Sequence, residues 1–172
     1  MKRETMFELA WMLPSLALPA AMLVAVTVTA FGAGIHVPSR EGRVDPALLS
    51  EAELFADPGL YETGPGRYEV RMVARTWSFD PAEVHVPAGS EVTFVATSAD
   101  VVHGLIIPHT NVNIMLIPGQ VARTTIRFDE PGVHVLVCHE YCGVAHHTMW
   151  SRLVVDEAPD DPAAGRARKV GP

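Results

Sequence analysis

Two cysteines, a histidine and a methionine fall within the run Cys138-His139-Glu140-Tyr141-Cys142-Gly143-Val144-Ala145-His146-His147-Thr148-Met149, at C-x3-C-x3-H-x2-M spacing. Thiolate, imidazole and thioether together are the ligands of a soft, redox-active metal, and copper is the first candidate. A hard ion would call for carboxylates. Donor types alone do not give the number of metal ions. Three plainer readings compete with a copper site. Cys138 and Cys142 are the only cysteines of the chain, and outside a reducing compartment such a pair is commonly a disulfide. That bridge would close a very small loop, remove little chain entropy and leave His146 and Met149 without a role. Two cysteines, His146 and one more histidine would suit zinc, but a thioether is a poor zinc ligand. Met149 alone reads as core packing.

A loop dense in donors needs a rigid frame to hold it. From Arg67 onward the hydrophobic pattern has period two. It predicts strands over Tyr68–Ala74, Glu83–Val86, Glu91–Thr97, Gly104–Ile107, Val121–Phe128, Val133–Val137 and Ser151–Val155. Turn signals separate them at Asp80-Pro81, Pro87-Ala88-Gly89, Pro118-Gly119 and Glu130-Pro131-Gly132. Short strands at this spacing predict a mainly β fold, a sandwich or barrel of Greek-key type. The loop Cys138–Met149 then joins the last two strands at one end. A further ligand from outside the loop is His103, which lies 35 residues before Cys138 at a strand boundary. His36, His85, His109 and His134 read as surface or structural histidines. His139 and His147 flank donors, and the spacing prefers His146.

The 172 residues leave room for one domain of about 100–150 residues and an appendage. Leu9–Ile35 is 27 residues without a charge, and about 20 suffice to cross a membrane. This predicts a transmembrane helix kinked at Pro14 and Pro19. A cleaved signal peptide is the alternative, but its apolar stretch usually runs about 7–15 residues. Lys2 and Arg3 point to a cytoplasmic N-terminus. Asp45-Pro46 is a helix start within an otherwise Pro- and Gly-rich stretch. The expected organisation is an anchor over 1–36, a connector over 37–66, the β domain over 67–155 and a disordered tail over 156–172. Lys2 and Arg3 cancel Glu4 and Glu8, so the whole formal charge of −7 lies beyond the apolar run. With no basic run, nucleic acid is not an expected partner.

These residues carry a resemblance. Val102-His103-Gly104, Pro118-Gly119 and the Cys138–Met149 run resemble the copper-binding domain of cytochrome c oxidase subunit II, and the similarity extends over about residues 9–155. The single N-terminal helix, Val44-Asp45-Pro46 and Thr63–Pro87 resemble the B-type branch of haem–copper oxidases. The resemblance implies a cupredoxin sandwich with a dinuclear copper centre, CuA. It implies that Cys138 and Cys142 bridge both coppers and that His103 and His146 each bind one. Met149 is then a weak axial ligand to one copper and the backbone carbonyl of Glu140 to the other. In much of the family the carboxylate at the Glu140 position also turns toward a magnesium ion at the contact with subunit I. Trp77, in Thr76-Trp77-Ser78-Phe79, matches the aromatic position that receives electrons from cytochrome c; otherwise it reads as a core or surface tryptophan.

The implied function is to accept electrons from cytochrome c and pass them to the haems and CuB of subunit I, where O2 is reduced to water. The implied setting is the lipid of a bacterial or archaeal cell membrane, with the copper domain on the periplasmic side. The negative field would steer a basic cytochrome c, whereas an apolar face around Trp77 would dock it without steering. Other readings of the same residues are the CuA subunit of a nitric-oxide reductase and a free-standing membrane-anchored copper carrier or delivery protein. The copper domain of nitrous-oxide reductase is disfavoured by the membrane helix. A quinol oxidase subunit II is disfavoured because that branch has lost the copper ligands present here.

Overall fold

The computed structural model describes residues 3–32 and 39–157. The chain divides into two compact units, Met1–Val37 and Pro38–Pro172. In the first, the apolar run forms one helix, α1 (Arg3–Gly32), with no buried side chain. At 1.5 Å per residue it is about 45 Å long, more than the roughly 30 Å of a bilayer's hydrocarbon core. Its hydroxyls are satisfied within the helix. Ser15, Thr27 and Thr29 donate to the carbonyls of Trp11, Leu23 and Ala25, one turn back, at 2.7, 2.8 and 2.8 Å. Such back-bonding suits a surrounding that offers no hydrogen bonds. The helix is long and apolar enough to cross a membrane.

The second unit is a two-sheet sandwich. Its strands are β1 (Ser39–Arg43), β2 (Gly59–Gly64), β3 (Arg67–Arg75), β4 (Ser78–Asp80), β5 (Glu83–Pro87), β6 (Ser90–Ser98), β7 (His103–Ile106), β8 (Asn113–Leu116), β9 (Gln120–Phe128), β10 (Gly132–Val137) and β11 (Trp150–Asp156). One sheet runs β1-β9-β6-β3-β2, with β4 paired to β3; the other runs β5-β11-β10-β7-β8. The β3–β6 and β5–β11 pairs are parallel and the other pairs antiparallel. This is the sandwich that the period-two pattern predicts, and all seven expected strands are present.

The core lies between the sheets. Val70, Met72 and Ala74 of β3 and Val92, Phe94 and Ala96 of β6 form one cluster with Leu105, Leu136, Leu153 and Val155 of the other sheet. Cys138, Cys142 and Met149 belong to that same cluster. The end of the hydrophobic core is therefore also the floor of the donor loop.

A second cluster covers the opposite face of the first sheet, where Leu49 and Phe55 pack with Val73, Val95 and Val121. Asp45 starts this cover, its carboxylate accepting from the Ala47 N–H at 2.9 Å at the head of the 3-10 turn Pro46–Leu48. β3 and β6 are thus buried on both faces near their ends, which blurs the inside–outside alternation. The stretch read as a connector supplies this cover and two strands at the sheet's edges, β1 and β2. Edge strands pair through backbone groups, so they need no alternating side chains, and the pattern does not announce them. His85, on the surface, lies between the carboxylates of Glu83 and Asp156, each at 3.2 Å. The tail expected over 156–172 lies, beyond Glu157, outside the described residues, as does His36.

Leu136 is fully buried on β10, two residues before Cys138. Leu136→Ala should lower unfolding free energy by about 2–5 kcal/mol, read as a fall in the urea midpoint with an unchanged slope.

Candidate metal centre

Three strands of one sheet aim the donors. His103 opens β7 and is completely buried. β10 delivers Cys138, and Met149 precedes β11. The Cys138 N–H donates to the Met149 carbonyl at 3.1 Å, one step beyond the Val137–Trp150 pair of the β10–β11 ladder. The loop's first and last donors are therefore closed together by strand pairing. Within the loop, His146–Thr148 forms a 3-10 turn, and the Met149 N–H returns to the His146 carbonyl at 3.1 Å. Gly143, at φ 118°, makes the reversal after Cys142 that a side chain would oppose.

The six expected positions converge. The two sulfurs stand 3.9 Å apart, and both thiols are free. Cys138 Sγ is 3.8 Å from His103 Nδ1 and 3.3 Å from the Glu140 carbonyl oxygen. Cys142 Sγ is 3.5 Å from His146 Nδ1 and 3.6 Å from Met149 Sδ. The ligand atoms of His103, Cys138 and Cys142 all lie within 4.8 Å of one another. Each sulfur thus has its own imidazole nitrogen and its own weaker donor. A disulfide needs sulfurs about 2.05 Å apart, so this is an open thiol pair. Two buried thiols, two imidazoles and a buried thioether make a copper-type donor set.

The expected magnesium ion has no such support. Glu140 faces the Cys138 sulfur with its carbonyl, and no cluster of metal-ligating side chains gathers around its carboxylate among the described residues. His139 is exposed, its ring packed on Gly104, where a Cβ would lie 2.5 Å from the imidazole. His147 is exposed too.

Burial pushes the Cys142 thiol up to about 11, with the neighbouring Cys138 adding to the rise and the backbone N–H of Trp77 opposing it. Two anions cannot share this pocket unaided. A bound cation reverses the balance, because a coordinating thiol loses its proton outright.

Two residues the motif does not include brace the site. Asp100, three residues before His103, accepts from His103 Nε2 at 2.8 Å. Since an ionised carboxylate only accepts, Nε2 carries the proton and Nδ1 keeps its lone pair for the sulfur side. Asp100 also accepts from the Val101 N–H at 2.7 Å and from both the N–H and the hydroxyl of Thr76. Burial alone would raise its pKa, but these donors hold it well below the usual carboxylate range. The sequence signal was available: a carboxylate shortly before a candidate histidine ligand.

Thr76 and Trp77 form the two-residue turn between β3 and β4. Trp77 has φ 70°, an unusual conformation for a bulky side chain. A Cβ on Gly143 would lie only 3.3 Å from the Trp77 indole nitrogen, so the ring sits against the donor loop. Trp77 is nevertheless 44% exposed. Val101, Val102, Tyr141 and Val144 are exposed apolar residues of the donor-bearing loops.

Residues 71–157 match the family described as cytochrome C oxidase subunit II, periplasmic domain. A cytochrome c oxidase subunit 2 of Thermus thermophilus is 34% identical over 155 residues, covering 88% of this chain and 92% of its relative. A chain of a haem–copper terminal oxidase dimer solved by cryo-electron microscopy is 36% identical with a TM-score of 0.72, covering 87% of this chain and 99% of that one. Nitrous-oxide reductase of Cupriavidus necator is 30% identical over 104 residues, which are only 16% of that protein. The fold is cupredoxin-like, as the resemblance implies.

In the metal-free protein, alkylation of Cys142 by iodoacetamide, followed by mass spectrometry, should be slow at neutral pH. Its rate should rise about tenfold per pH unit up to about 11. A plateau near pH 8–9, the range of an ordinary thiol, would show that burial and Cys138 do not act on it.

Proposed function

The chain belongs to the cytochrome c oxidase subunit II family, part of an oxidoreductase complex, and from that premise we propose that it is the electron-accepting subunit of a terminal oxidase. It takes single electrons from a cytochrome c at a dinuclear copper centre and hands them to the haem- and copper-bearing subunit I. One observation carries the reading: two buried sulfurs 3.9 Å apart, each with its own imidazole nitrogen. Two sulfurs, each flanked by its own imidazole nitrogen, suit the dinuclear centre that membership of the family implies.

The geometry supports these ligand roles. Cys138, Cys142, His103 and His146 would hold the copper, and Met149 with the Glu140 carbonyl would complete the set. When bound, the copper pair supplies one-electron storage shared over two metals through the thiolates. The chain supplies every donor, so no substrate need reach the metal. Its donors sit on paired strands and a short closed loop, and such a frame changes little when an electron arrives.

Trp77 is the place where the electron enters. Its ring is open to solvent on one side and lies against Gly143 on the other, next to Cys142. Val101, Val102, Tyr141 and Val144 give this end an apolar docking face. The anchor helix holds the chain in the lipid of a cell membrane, N-terminus inside and copper domain on the periplasmic side, beside subunit I.

The full chain, loaded with copper in detergent, should give a seven-line hyperfine pattern in electron paramagnetic resonance, from one electron shared over two equivalent copper nuclei. Cys142→Ser should abolish that pattern. A four-line spectrum in the unsubstituted chain would sink the dinuclear reading. Trp77→Ala should slow reduction by cytochrome c about tenfold or more, a rise of about 1.4 kcal/mol in the barrier, in stopped-flow mixing with the intact oxidase. An unchanged rate would remove Trp77 from the path.

A further inference from the structure

The metal-ligand set leaves one carboxylate unexplained. Asp100 is not a ligand, yet it collects more hydrogen bonds than any surface aspartate requires. It receives His103 Nε2 at 2.8 Å, the Val101 N–H at 2.7 Å, and both donors of Thr76. These partners belong to different parts of the site. His103 is a buried donor on β7, and Thr76 is half of the β3–β4 turn. The other half of that turn is Trp77, at φ 70°. Its ring sits on the loop glycine after Cys142.

We propose that Asp100 is a positioning residue that fixes two features of the centre at once: the tautomer of His103 and the left-handed Thr76–Trp77 turn that sets the Trp77 ring against Gly143. This rests on reading the site as the copper centre. Three physical grounds support the role. First, a carboxylate facing Nε2 forces the proton there and leaves Nδ1 free to bind, the arrangement by which ligating histidines are oriented. Second, a bulky non-glycine residue at φ 70° is strained and persists only where its surroundings over-determine it. Here the surroundings are identifiable. Thr76 is held from both its backbone and its hydroxyl by Asp100, and the Trp77 ring lies against Gly143. Third, the carboxylate adds a negative charge one imidazole away from the metal position. It is 32% exposed, so its field is screened in part. The sign is definite: a nearby anion favours the oxidised, more positive state.

Asp100 thereby does more than brace one ligand. The same two oxygens touch a ligand on one sulfur's side and steady the turn whose ring lies against the loop glycine after the other. Displacing Asp100 should therefore disturb both the imidazole and that turn together.

The test compares Asp100→Ala, Asp100→Asn and Thr76→Val in the full chain in detergent. In the metal-free state, 15N–1H nuclear magnetic resonance reads the His103 tautomer and the Trp77 amide shift. In the copper-loaded state, redox titration reads the potential. The unsubstituted chain should show His103 protonated at Nε2. Asp100→Ala should mix the tautomers, move the Trp77 amide and raise the potential. Asp100→Asn keeps one acceptor but no charge; it should return the Trp77 amide toward its original shift while the potential stays raised. Thr76→Val should move the Trp77 amide and leave the His103 tautomer as it was. If Asp100→Ala does not fold, the Asn and Val variants decide. An unchanged tautomer or amide in Asp100→Ala, or a potential that fails to rise in Asp100→Asn, overturns the proposal. Failure of the copper reading has a different signature: the unsubstituted chain would lack the two-copper spectrum, while the metal-free spectra would still report on Asp100.

Discussion

Two thiols buried 3.9 Å apart make a pocket that holds negative charge poorly without a cation. A lone pair of thiolates there would suffer burial and mutual repulsion together, and the raised Cys142 pKa is the mark of both. The rest of the site serves this constraint. Each sulfur has an imidazole nitrogen and a weaker donor within 3.8 Å. Among the described residues, the core that closes beneath them is apolar.

The sandwich converts that constraint into fixed geometry. Strands β7, β10 and β11 lie side by side, so His103 and both ends of the donor loop share one rigid sheet. The backbone bond from Cys138 to Met149 extends the β10–β11 ladder into the base of the loop. The first sheet contributes through its turn, where Trp77 reaches across to Gly143. The arrangement therefore depends on both sheets, although the ligands come from one.

Much of this is legible in the residues. The spacing of Cys138, Cys142, His146 and Met149 marks the donors because a short loop can close on one centre only at such intervals. Period-two alternation locates the main strands because their inner faces are apolar and their outer faces wet. Three features escape for physical reasons. β1 and β2 are edge strands that pair by backbone, with Gly and polar residues that carry no alternation. Leu49 and Phe55 bury the outer face of the first sheet, and only the folded chain shows which face they meet. Asp100 is marked only by its place three residues before His103; its partner Thr76 lies 24 residues away, and hydrogen bonds between loops leave no periodic trace. The Glu140 carboxylate errs in the other direction: a donor-type side chain in the motif draws a metal expectation, yet it is the backbone carbonyl that faces the sulfurs.

The closeness of the loop donors along the chain bears on the order of assembly. Cys138, Cys142, His146 and Met149 are neighbours in sequence whether or not the sandwich has formed, while His103 joins from 35 residues away. Bringing in that distant imidazole carries a loop-closure entropy that the four local donors do not. The unfolded chain can therefore hold a thiophilic ion through most of its ligands. A metal that binds both states stabilises the fold only by the difference between its two affinities. Here that difference comes from His103 and from burial, so the metal's grip on the native state is set by one histidine on a strand and by the dryness of the core beneath it.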